Sequence, residues 1–133
     1  MKIYQNSICC HIRLGDFKKS INEEFKNNTR IPIKWYVDVI KQIRKEDKDL
    51  KVFLFSDGND TELKELLELK NIKNETSSNP VEDILKLSSS KYLIGSYSSF
   101  SFWGAFFSKG SCIWHEKVFN TNEFPQNCKN IIY

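Results

Sequence analysis

No apolar run in this chain reaches the ~20 residues that a membrane-spanning helix needs. The longest uncharged stretch, Tyr92 to Ser108, is interrupted by five serines and two glycines and reads as core rather than as a span. The first residues show no apolar core of the secretion-signal kind. The four cysteines, Cys9, Cys10, Cys112 and Cys128, form no CxxC pair and no Cys/His metal spacing. They read as small buried hydrophobes in a reducing, cytoplasmic setting, with a peripheral place at the inner membrane face left open. Basic residues number 20 against 17 acidic ones and alternate with them, so no block is dense enough for a nucleic-acid partner. There is no GxGxxG and no Walker loop, which sets aside the commonest dinucleotide and P-loop sites. Repeats, linkers and low-complexity segments are absent. Arginine is scarce as well: only Arg13, Arg30 and Arg44 interrupt the lysines.

What is present suits one soluble α/β domain, since 133 residues with 40% hydrophobic content can bury a real core. The chain is organised around Ile8 to Asp16. An apolar run reads as a central parallel strand, and it ends in His11, Arg13, Gly15 and Asp16. His11 and Arg13 are two apart and so share a face of that strand. Gly15 lets the backbone approach something closely. An arginine fork at a strand end suits a diphosphate, although His-x-Arg taken alone also fits a core histidine beside a surface ion pair.

Strands and helices then alternate. Phe17 to Thr29 is a polar loop. Pro32 opens a helix to about Lys48, with Ile33, Val37, Ile40 and Ile43 as its apolar stripe. Val52 to Phe55 is a second strand. Asp60 is the expected cap of a helix from Thr61 to about Lys70, and Asn71 to Thr76 is a weak strand. Asn79-Pro80-Val81-Glu82 starts a helix with Val81, Ile84 and Leu85 expected to face inward. Asp83 in its first turn reads as a helix-dipole carboxylate, or as a ligand contact. Tyr92 to Ile94 is a strand. Phe100 to Ser108 is a helix expected to be buried all round, and Ser111 to His115 is the last strand. The remainder to Tyr133 is expected to be irregular. The alternation predicts an α/β fold: a Rossmann-like, mostly parallel sheet with helices on both faces.

In such a sheet the carboxyl ends of the strands share one edge, where ligands bind. The unusual residues sit there: His11, Arg13 and Asp16; Ser56 and Asp57; and Ser96, Ser98 and Ser99 leading a helix. A helix start with free N–H groups and hydroxyls favours an anion, and either serine also fits as an N-cap. Arg13 opposite that start would clamp a pyrophosphate. Asp57 or Asp83 would accept from a base edge or a ribose hydroxyl.

These residues carry a resemblance. His11-Ile12-Arg13-Leu14-Gly15-Asp16 resembles the HxRxGD motif of the α-1,2-fucosyltransferases, glycosyltransferase family 11. Phe55-Ser56-Asp57 is similar to their FSD strand end. Asp83-Ile84-Leu85-Lys86-Leu87-Ser88 is similar to their D-[IL]-x-x-[ML]-S helix, and Ser98 to Ala105 to their N-S-T/S-F-S-W-W-G-A segment. Tyr97 stands at the usual Asn, and Phe102 at the first Trp. The resemblance spans roughly His11 to Trp114.

The resemblance implies the donor-binding half of a GT-B glycosyltransferase, so residues 1–133 would form one GDP-sugar-binding domain. It implies GDP-fucose as donor, an oligosaccharide acceptor, transfer with inversion, and no metal or other cofactor. Arg13 would hold the diphosphate and stabilise the leaving GDP, His11 would line the nucleotide pocket, and Asp57 and Asp83 would lie near the guanosine. Ser98 and Ser99 would contact phosphate, with Ser56 and Phe100 completing the substrate-binding set. Asp16 is the candidate general base, or it fixes Arg13. The acceptor-binding half is expected to be absent. The chain is then a fragment, or a second chain supplies that half, or it binds GDP or GDP-sugar without transfer. A flavodoxin-like or response-regulator-like domain would need an acidic cluster after the first strand or a phosphate loop, and neither is present.

Overall fold

The computed structural model describes residues 2–15, 30–117, 125 and 127–133. Asp16 and the polar stretch from Phe17 to Thr29 lie outside them. Among the described residues six strands form one all-parallel sheet: Ser7–Ile12 (β1), Lys51–Ser56 (β2), Ile72–Asn74 (β3), Tyr92–Ile94 (β4), Ser111–Trp114 (β5) and Lys129–Ile132 (β6). Their order is β3-β2-β1-β4-β5-β6, which is the doubly wound, Rossmann-like arrangement.

Every residue of β1 is buried, as a continuous apolar run at the centre of a parallel sheet requires. It pairs with β2 from Ser7↔Lys51 to Ile12↔Ser56, and with β4 from Ile8↔Tyr92 to Cys10↔Ile94. Successive side chains meet different helices. Cys10 lies near Tyr36 of α1 (Ile33–Glu46), whereas the Cys9 thiol points at the carbonyl of Lys86 in α3 (Pro80–Ser88), 3.8 Å away. The sheet is therefore covered on both faces: α1 packs with the short α2 (Lys64–Leu67), and α3 with α4 (Ser99–Phe106). All four cysteines are free thiols, and three of them are buried. Among the described residues no helix is long and apolar enough to cross a membrane.

Four local expectations are corrected. The sixth strand, β6, lies in the tail expected to be irregular. It pairs with β5 from Ser111↔Lys129 to Trp114↔Ile132, and Asn130 Oδ1 accepts from Trp114 Nε1 at 2.9 Å. Helix α2 is a single turn, not a run from Thr61 to Lys70. The helix has Leu63 at its N-cap with no side-chain cap, and the turn before it is closed by Asn59 rather than Asp60: Asn59 Oδ1 accepts from Glu62 N at 2.9 Å, and Glu62 Oε1 accepts from Asn59 N at 3.2 Å. In α3 the buried residues are Asp83 and Leu87, and Val81 and Leu85 are exposed. The Asp83 carboxylate is anchored to Ser77 N, which turns the helix away from the expected apolar face. Helix α4 buries only Ser101, Gly104 and Ala105; Trp103 and Phe106 stand about half exposed, with Phe107 beside them. Gly104 lies at the close contact with α3, where an added Cβ would lie 3.2 Å from Leu87 and require that side chain to shift by a few tenths of an ångström.

Candidate functional site

At the carboxyl end of the sheet the strand order reverses between β1 and β4, which opens a crevice there. A cavity of about 730 Å³ occupies it. All eight candidate substrate-binding residues, His11, Arg13, Ser56, Asp57, Asp83, Ser98, Ser99 and Phe100, line this one cavity. Residues 13 and 98–99 thus meet across the top of the sheet. Asp16 lies outside the described residues.

Each lining side chain has a local cause. His11, at the end of β1, turns toward α4, where its Nδ1 lies 2.6 Å from Ser101 Oγ and 3.1 Å from Ser96 Oγ. Phe100 stacks on the ring at 4.6 Å. Burial holds the imidazole down to a pKa of about 3, so it is neutral at any physiological pH. Arg13 sits two residues on, past the end of the strand, with its guanidinium ion-paired to Asp57 Oδ2. Asp57 Oδ1 accepts from the Leu14 amide at 2.7 Å, so this carboxylate fixes both the arginine and the backbone beside it. Gly15 is where the chain passes closest to Asp57: a Cβ there would collide with the carboxylate. Arg30 braces the same turn, with Nε and Nη2 donating to the carbonyls of Leu14 and Gly15 at 3.0 Å each, and Nη1 to Glu62 at 2.9 Å.

The other lining residues divide between lining the cavity and holding it together. Ser56 Oγ donates to the Ile12 carbonyl at 2.6 Å and accepts from Gly58 N at 3.0 Å, which ties β1 to β2 at the rim. Ser98 caps α4, accepting from Ser101 N at 3.3 Å; Ser99 is the first helical residue and is exposed. Asp83 stands in the first turn of α3, as a dipole carboxylate does, and is 4% exposed. Ser77 N donates to it at 3.0 Å. The sequence reading did not single out Thr76, Ser77 and Pro80, which also line the cavity; the only signal for them was their place after a weak strand and before a helix cap. Tyr97 and Phe102, the two departures from the motif, line it too, their rings 6.0 Å apart and edge-on. Among the described residues no group of three or more His, Cys, Asp or Glu side chains could hold a metal ion.

A doubly wound sheet with an arginine, a buried aspartate and a serine-rich helix start around its switch-point crevice defines a Rossmann-like domain with the layout of a ligand-binding one. Residues 2–131 match the model of Glycosyl transferase family 11, and the chain belongs to that family. It is 31% identical over 111 residues to an α-1,2-colitosyltransferase of Escherichia coli, an alignment covering 75% of this chain and 36% of that protein. The chain thus spans about a third of the length of that relative. Comparison with the solved structures returned no significant match.

Proposed function

We propose that this chain is the donor-binding part of a family 11 glycosyltransferase that takes a GDP-linked sugar, fucose foremost, and passes it to a glycan hydroxyl with inversion. One observation carries the reading: Arg13, Asp83 and the Ser98–Ser99 start of α4 border a single crevice of nucleotide-sugar size. Arg13 grips the diphosphate from one side, and the amides and hydroxyls that open α4 grip it from the other. Asp83 accepts hydrogen bonds from the guanine edge, and Asp57 holds the Arg13 fork in register. In the transfer the acceptor oxygen forms a bond to the sugar C1 as the C1–O bond to the β-phosphate breaks. The electron pair leaves on GDP, where a preorganised guanidinium stabilises it. The acceptor proton goes to a base, for which Asp16 is the candidate. Positive charge is supplied by Arg13 and no divalent ion is required, so EDTA is expected to leave turnover unchanged.

Calorimetry with GDP tests the donor site. Arg13→Ala is expected to weaken GDP binding at least tenfold without unfolding the chain; equal affinities for the two proteins would overturn the reading. The relative's activity favours a second donor, the colitosyl nucleotide, and competition between it and GDP-fucose for the GDP site decides between them. A domain that binds GDP-sugar tightly yet neither hydrolyses nor transfers it would be a binding module, completed by an acceptor-binding partner.

A further inference from the structure

Three serine hydroxyls converge on one nitrogen. Ser101, Ser96 and Ser98 Oγ lie 2.6, 3.1 and 3.4 Å from His11 Nδ1. Two of these oxygens already accept a backbone N–H: Ser101 Oγ from Ser96 N at 3.0 Å, and Ser98 Oγ from Ser101 N at 3.3 Å. A hydroxyl has one proton to give. That of Ser101 has two places to go, the Ser96 oxygen at 3.2 Å or the imidazole nitrogen at 2.6 Å, and the nitrogen is both nearer and the stronger base. Ser101 is fully buried, so water does not compete for the bond.

A neutral imidazole carries one N–H, and the partner of one ring nitrogen decides which nitrogen carries it. We propose that Ser101 is a positioning residue: its hydroxyl donates to His11 Nδ1 and thereby sets His11 to present an Nε2–H donor to the cavity, for an acceptor atom of the bound nucleotide. Nε2 makes no hydrogen bond to any described residue, and the Phe100 ring stacked on the imidazole fixes its plane. A serine at this point of α4 is thus more than a good fit to a crowded helix start, because alanine would fill nearly the same space and leave the tautomer unset. The nucleotide part of the proposal rests on the donor-site reading above; the tautomer does not.

The chain has two histidines, so their ring nitrogens can be resolved by ¹⁵N NMR, with His115→Gln supplying the assignment. At pH 7 the wild-type chain is expected to show a hydrogen-bonded, unprotonated Nδ1 and a protonated Nε2 for His11. Ser101→Ala should shift the Nδ1 signal or repopulate the Nδ1–H tautomer and weaken GDP binding about tenfold, whereas Ser101→Thr, which keeps the hydroxyl, should retain both. A protonated Nδ1 in the wild-type chain, or His11 signals unchanged in Ser101→Ala, would overturn the proposal. If Ser101→Ala does not fold, Ser101→Cys, a weaker donor, is read the same way. Failure of the wild-type chain to bind GDP would remove the donor-site reading while the spectrum still decides the tautomer.

Discussion

A histidine held neutral by burial leaves a mark on stability that can be measured. The His11 imidazole has its pKa lowered to about 3 in the folded chain, against an ordinary value of 6.5. Between those values the unfolded chain binds a proton that the folded chain refuses, so stability is complete above about pH 6.5 and declines as the pH falls. From pH 7 to pH 5 this one group should lower the unfolding free energy by about 2 kcal/mol. Denaturant titrations at the two pH values check it: His11→Gln should flatten the decline, and an identical slope in the variant would contradict it. His115, also lowered by burial, adds a slope of the same sign to both proteins, so the difference between them isolates His11. At this scale the sequence was partly legible. The two-residue spacing put His11 and Arg13 on one face, and Gly15 announced a close approach. The spacing left open what was approached: Asp57 comes from a strand more than forty residues away and could be paired with Arg13 only once β1 and β2 were placed side by side.

Helix α3 carries a site carboxylate on a well-built start. Asn79 Oδ1 accepts from Val81 N at 3.1 Å and Glu82 N at 3.3 Å, and Pro80 occupies the first helical position. Asn79→Ala should cost about 1 kcal/mol. Because Asp83 stands in that same first turn, GDP affinity should fall alongside the melting temperature, a pairing that calorimetry and thermal denaturation on one sample would check. The sequence revealed the Asn79 cap and the Pro80 start, since Asn-Pro is a local signal, but not the fate of Glu82: the Asn79 amide donates to Ser77 Oγ at 3.0 Å, and Glu82 pairs with Lys86 instead of closing a capping box. It misjudged which face of α3 is buried because Val81 and Leu85 are apolar, whereas the helix is oriented by a polar anchor, Asp83 to Ser77, that periodicity does not register. Helix α4 misled in a similar way: apolar on all sides, it implied full burial, yet its contact with α3 through Gly104 leaves Trp103 and Phe106 at the surface. The Asn59–Glu62 box in the turn before α2 lay one residue from the expected cap, and it was obscured by three other capping residues nearby, Asp57, Asp60 and Thr61.

For the molecule as a whole, alternation of strand and helix was enough to reach a doubly wound parallel sheet. The strand it missed, β6, is short, sits at an edge and mixes Lys129 and Asn130 with two isoleucines, so it carries neither a continuous apolar run nor a clean alternation. Its contribution is tertiary. It covers β5, accepts the Trp114 indole hydrogen bond, and delivers the Tyr133 carbonyl to Trp35 Nε1 of α1 at 3.4 Å. Removing residues 128–133 should lower stability by about 3 kcal/mol and, by baring the edge of β5, promote association that light scattering would detect. An unchanged melting temperature in the truncated chain would contradict this.

The pairing of β1 with β4 has a further consequence during synthesis. Ile8, Cys9 and Cys10 wait for Tyr92, Leu93 and Ile94, so a ribosome must release residues more than eighty positions further on before the central strand gains its second neighbour. Until then His11 and Arg13 face a half-built sheet, with the serines of α4 not yet made. A nascent chain stalled before residue 92 should therefore gain nothing from added nucleotide, and any chaperoning effect of the ligand would begin only late in translation.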